Sequence, residues 1–166
     1  MKHSPWPLVC ALALSLYATG ATFVEGFVNY PSWRIIGPAE FVAYHQFITP
    51  RVVVFLVVPI ALSTIATALM LWWRPSSISR RLVWIVLVCH AVMWGSSITI
   101  QIPIQGHFSS TGFDEERLAR LIVTNLWLRR LPGLIAVGVL LWMLQRVLVG
   151  GGHANASRPV VSNNPA

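Results

Sequence analysis

Glu25, His45 and His90 are the side chains whose chemistry and setting ask for an explanation. Each stands in or beside an apolar run, where an ionisable group costs roughly 2.5–3.5 kcal/mol on insertion scales, so it needs a partner or a purpose. A carboxylate and imidazoles brought together can act as general acid and base or ligate a metal, and either histidine can serve as an axial ligand of haem. The structural alternatives are simple. Glu25 pairs with Arg129 or Arg130, or hydrogen-bonds to Asn29, and His90 is a neutral ring satisfied by Ser97 or a backbone carbonyl.

Spacing groups these residues with others. Thr22, Glu25 and Asn29 follow i, i+3, i+7 and share a helix face, with Ala18 and Ala21 beside them to permit close approach. His90, Trp94, Ser97 and Gln101 recur at four, three and four residues, which at 100° per residue places the first and last on one stripe. Tyr44 and His45 lie between the first two apolar runs, Gln105 just past the third, and Asn125 and Arg129 just before the fourth. Glu25, near the outer end of its span, lies at the level of Gln101 and below Tyr44 and His45, with His90 deeper, so the expected site is a polar pocket near one leaflet. Trp33 and Trp94 would supply flat surfaces for an aromatic ligand.

The elements that hold these residues are dictated by composition. Of 166 residues 55% are apolar and 10% charged, against roughly 25% charged in a soluble domain. With a mean hydropathy of +0.66, the bilayer must be the main solvent. The net charge of +7 does not point to nucleic acid, because the basic residues sit in short loops and at run ends, where arginine meets headgroups. The sequence predicts an all-α integral membrane protein, a four-transmembrane-helix bundle with spans at 8–29, 52–73, 82–102 and 131–148. An interfacial segment at 38–48 lies between helices 1 and 2. The extended fourth helix is kinked near Pro132-Gly133, and its first part, 114–130, lies along the interface or over the mouth of the bundle. Thr111 and Asp114–Glu116 supply capping and charge at its start. Residues 1–149 form one domain, and 150–166, rich in Gly, Asn, Ser and Pro, are expected to be disordered.

Orientation rests on arginine placement. Six basic residues fall on each side, but Arg74, Arg80 and Arg81 crowd one short loop, which places both termini in the cytoplasm of a bacterial inner membrane. Cys10 and Cys89 lie inside apolar runs and read as buried thiols. No metalloprotease, nucleotide-binding, serine-hydrolase or dinucleotide motif is present, and nothing fixes a cofactor or an oligomeric state.

The stretch IPIQGHFSSTGFDEERLARLIVTNLWLRRLP, residues 102–132, together with Glu25 and the cluster at 41–45, resembles small four-helix bacterial membrane proteins of unassigned function. That group is distantly similar to the anthrone oxygenases, membrane proteins that oxidise a polycyclic anthrone to an anthraquinone with dioxygen. The likeness to the oxygenases lies in topology and in Pro103-Ile104-Gln105, where Gln105 stands in place of an Asn or His. The resemblance implies a membrane oxidoreductase. A lipophilic aromatic or quinone-like substrate would enter from the bilayer, with Glu25 or His45 as the base and Trp33, Tyr44, Trp94, Gln101, Gln105, Asn125 and Arg129 around it. The other reading is a structural or accessory protein, or a small-molecule carrier, whose polar residues only fix helix packing.

Overall fold

The computed structural model describes residues 4–156, and side-chain surroundings for residues 4–149. Four helices long and apolar enough to cross a membrane make up the fold: α1 Trp6–Ile35, α2 Pro38–Leu69, α3 Arg80–Ser110 and α4 Glu115–Val149. No strand occurs among the described residues. The helices hold 30 to 35 residues each, so at roughly 1.5 Å per residue every one outreaches the hydrocarbon core of about 30 Å. The outer faces carry Phe55, Ile65, Val88, Ile98 and Leu134, all exposed and apolar, as lipid requires.

Proline chemistry shapes all four helices. Each contains a five-residue wide turn, at Glu25–Asn29, Val53–Val57, Ser97–Gln101 and Leu126–Arg130. Two residues past each one stands a proline, respectively Pro31, Pro59, Pro103 and Pro132. A proline has no N–H for the carbonyl four residues back, and its ring presses against that carbonyl. The helix responds by widening. The N–H of the residue before the proline donates to the carbonyl five residues earlier, Tyr30 to Glu25, Val58 to Val53, Ile102 to Ser97 and Leu131 to Leu126. The Leu128 carbonyl, released by Pro132, is reached by the Ser96 hydroxyl of α3 at 3.4 Å. Such local rewinding and side-chain donation is how lipid-embedded helices tolerate proline.

Several boundaries differ from those the sequence predicts. Residues 38–48 are the first turns of α2, because Pro50 sits inside a helix that continues past it. Pro103 likewise does not stop α3, which runs on to Ser110. The fourth helix is continuous through Pro132-Gly133, its irregularity being the wide turn Leu126–Arg130 just before that proline, and its first part roofs the bundle, the second of the two placements expected. There Leu118 and Leu121 pack on Tyr30, Trp33, Phe41, Ile104 and Phe108. The expected tail at 150–166 begins as helix, which extends to Ala156; residues 157–166 lie outside the described residues.

Packing is uneven around the bundle. α1 lies along α2 and α4, and α3 lies along α4, while α2 and α3 meet near their two ends, Pro38–Val52 against Ile102–Ser110 and Val58–Leu69 against Arg80–Ser96. A dense apolar core of Leu8, Leu12, Met70, Val83, Val86, Leu140 and Met143 fills the other end. The 111–114 connection turns through Gly112, whose φ of +105° an L side chain rarely adopts. Asp114 then caps α4 by accepting from the Arg117 backbone N–H at 3.0 Å.

These contacts set two measurable outcomes. The Arg117 N–H bond, the largest influence, and the nearby Arg117 and His107 charges hold the Asp114 carboxyl below its ordinary range. A depressed carboxyl stabilises the fold above its ordinary range and loses that contribution as pH falls through the lower folded value; the Arg117 amide shift in NMR should therefore titrate below the usual aspartate range. At Gly26, an added Cβ would fall on the Arg130 guanidinium. Gly26→Ala should lower unfolding stability by about 1–2 kcal/mol, whereas in an Arg130→Ala background the same change should cost little, a non-additivity that a double-mutant cycle reads directly.

Candidate functional site

A cavity of about 390 Å³ opens between α2 and α3 at the level of the wide turns. Val53 and Ile102 line it and are also exposed on the outer surface, so its mouth faces the lipid side of the bundle. Glu25, Trp33, His45, Trp94, Gln101, Gln105 and Arg129, all named from the sequence, form part of its wall. Tyr44 packs instead on the aromatic roof, and Asn125 is fully buried outside the cavity lining.

His90 also lies elsewhere. It lines a separate void of about 10 Å³ with Ser15, Thr19, Ser63 and Gly133, space for about one water molecule. Trp94, Ser97 and Gln101 keep to one cavity wall, and His90 is separated from them by depth, since it stands 11 residues before Gln101, roughly 16 Å of helix rise. Ser97 donates to the Met93 carbonyl and to Gln101 Oε1, not to His90.

His45 is held at both ring nitrogens. Gln105 Oε1, an acceptor, lies 2.6 Å from Nε2, which assigns the ring proton to Nε2; Nδ1 then accepts from the Ser109 hydroxyl at 2.9 Å. Phe41 stacks on the ring at 5.9 Å and Trp33 meets it edge-on at 5.2 Å. This ring is a fixed wall element. Glu25 accepts a bond from Asn29 Nδ2 at 2.7 Å, one of the alternatives the spacing offered. Glu25 makes no ion pair among the described residues, although the Arg129 charge acts on it.

The arginines have unequal settings. Arg129, 8% exposed, faces the cavity. Arg130, 2% exposed, occupies the notch left by Gly26, with its guanidinium 4.3 Å from the Phe27 ring centre. A cation–π contact there replaces a carboxylate partner.

Buried polar atoms without partners call for an explanation, a bound group or an ordered water among them. In the cavity wall they are Trp33 Nε1, Gln101 Nε2 and Arg129 Nε, belonging to side chains 1%, 3% and 8% exposed. All three are donors. The wall thus offers N–H groups and one carboxyl group, the set that suits a ligand with oxygen acceptors and one removable proton.

Metal and haem fit less well. Among the described residues no three His, Cys, Asp or Glu side chains gather to hold a metal ion. His45 has both nitrogens engaged, and the void at His90 is far too small for a haem.

Tyr30, Thr49 and Ser109 also line the cavity and were not singled out from the sequence. Tyr30 is five residues after Glu25, about 140° away on a regular helix, but the i+5 hydrogen bond of the wide turn stacks it above Glu25. The proline at 31 was the available signal. Ser109 sits one turn beyond Gln105, a spacing that was legible.

No protein-family model, curated protein or solved structure matches this chain. The geometry yields a direct check on His45: Gln105→Leu keeps the size but leaves the Nε2 proton unpaired in a buried site. Thermal unfolding in detergent should show a loss of about 1–3 kcal/mol, and an unchanged melt would mean the bond carries no weight.

Proposed function

We propose that this chain is a membrane oxidoreductase that takes a lipophilic aromatic or quinone-like molecule from the bilayer and oxidises it with dioxygen. The observation that carries the reading is the cavity itself, open toward lipid and lined by unpartnered buried donors beside one carboxyl group. Its volume of about 390 Å³ falls in the roughly 300–1,000 Å³ range of small-molecule sites. The resemblance of residues 102–132 to anthrone-oxygenase-like proteins points the same way.

The chemistry assigned to each group is limited and balanced. Glu25 removes a proton from a carbon conjugated with a ring carbonyl. Arg129 and Gln101 donate to the carbonyl oxygen as it becomes an oxyanion, and Trp33 adds a third N–H. The carbanion transfers electrons to dioxygen and forms a carbon–oxygen bond. The resulting peroxide takes back the proton from Glu25 and loses water, leaving a new carbonyl, so that one CH₂ and one O₂ become one C=O and one H₂O. His45 keeps Gln105 and Ser109 in place along the wall.

Membrane placement belongs to the same proposal. With the Arg74–Arg81 loop cytoplasmic in a bacterial inner membrane, both termini are cytoplasmic and the cavity lies toward the outer leaflet.

Oxygen consumption by the protein in proteoliposomes supplied with an anthrone tests this. Glu25→Gln should lower turnover by about 10²-fold or more while the melt stays near wild type. Unchanged turnover removes Glu25 as the base. If Glu25→Gln and His45→Ala only reduce folding yield and no oxygen is consumed by any form, the polar residues serve helix packing and the structural or carrier reading takes over.

A further inference from the structure

The five acidic residues of the chain, Glu25, Glu40, Asp114, Glu115 and Glu116, belong to the half of the bundle that holds the cavity. The opposite end carries Arg74, Arg80, Arg81 and Arg146 and, among the described residues, no carboxylate. Trp6, Trp72, Trp73, Trp84 and Trp142 are all exposed around that end. Tryptophan in such a belt marks the headgroup level of a membrane.

The basic side chains there are not equivalent. Arg74 donates to the Leu71 and Ile78 carbonyls and is spent on shaping the loop between α2 and α3. The Arg146 guanidinium lies 4.3 Å from the Trp142 ring centre, and the two residues, with Ser77, Gln145 and Val149, line a second open groove of about 410 Å³. The groove combines one cation, two neutral hydrogen-bonding side chains and an apolar wall. That combination matches a phosphate joined to a glycerol and acyl chains.

We propose that this groove is a binding site for an anionic phospholipid. Arg146 meets the phosphate, Ser77 and Gln145 bond to its oxygens or to the headgroup hydroxyls, and Trp142 and Val149 pack against the glycerol and the first methylenes. Arg80 and Arg81, exposed nearby, add the field that favours a net negative headgroup over a zwitterionic one. The site lies at the end of the bundle opposite the cavity and does not depend on the oxidoreductase reading.

Native mass spectrometry of the full chain, titrated with phosphatidylglycerol and with phosphatidylcholine, tests the site. Phosphatidylglycerol should be retained preferentially. Arg146→Gln should weaken it about fivefold, the effect of one arginine near a charged surface, and Ser77→Asp should weaken it further by repulsion. Arg51→Gln, an exposed arginine at the other end, should leave retention unchanged, and the melts of all three variants report whether they fold. Equal retention of both lipids overturns the proposal, as does equal loss in Arg51→Gln and Arg146→Gln. Displacement of the lipid by millimolar inorganic phosphate overturns it too, since it would make the groove a free-phosphate site.

Discussion

A buried carbonyl in lipid has no water to turn to, and each of four prolines in this bundle releases one. That constraint organises the rest of the molecule. The helices answer with four wide turns, each bonded from the residue before its proline back to a carbonyl five residues earlier. Three of these turns, at Glu25–Asn29, Ser97–Gln101 and Leu126–Arg130, carry the buried Glu25, Gln101, Arg129 and Arg130. The fourth, at Val53–Val57, is apolar and frames the mouth of the cavity. Wide turns of this kind are frequent at functional sites because they change which residues face inward without ending the helix.

The division of labour along the bundle axis is physical. At one end small and branched residues pack densely, and at the other an aromatic roof of Trp33, Phe41 and Phe108 closes over His45. Between them, the charged and amide side chains prevent continuous apolar packing, and the cavity occupies that level. Glu25 and Arg129 remain far enough apart to avoid a direct ion pair. A closed pair would satisfy both groups and leave less for a ligand to do, because a desolvated charge gains most from the partner it lacks.

Parts of the site were legible because they are local. The Glu25–Asn29 bond is an i, i+4 contact on one helix, whereas the cap of α4 falls on Asp114 and not on Thr111, whose N–H bonds back to the His107 carbonyl and ends α3. The Ser109–His45–Gln105 line was only half visible, since Gln105 and Ser109 share a face but their meeting with His45 joins α2 to α3. Asn125 was placed in the pocket on its depth alone. Its burial without a partner is real, yet it lies outside the cavity lining.

The sequence by itself determined the solvent, the number of crossing helices and the level at which polar groups gather, because hydropathy and span length are additive along the chain. It also exposed the prolines. What only the tertiary structure decided is which polar groups share a space: Glu25, Gln101 and Arg129 at one cavity, His90 at another, Arg130 in the notch at Gly26. The reason is that which helix stands opposite, and at what depth, is settled by packing between segments distant in the chain, while a wide turn moves single side chains such as Tyr30 onto the cavity wall.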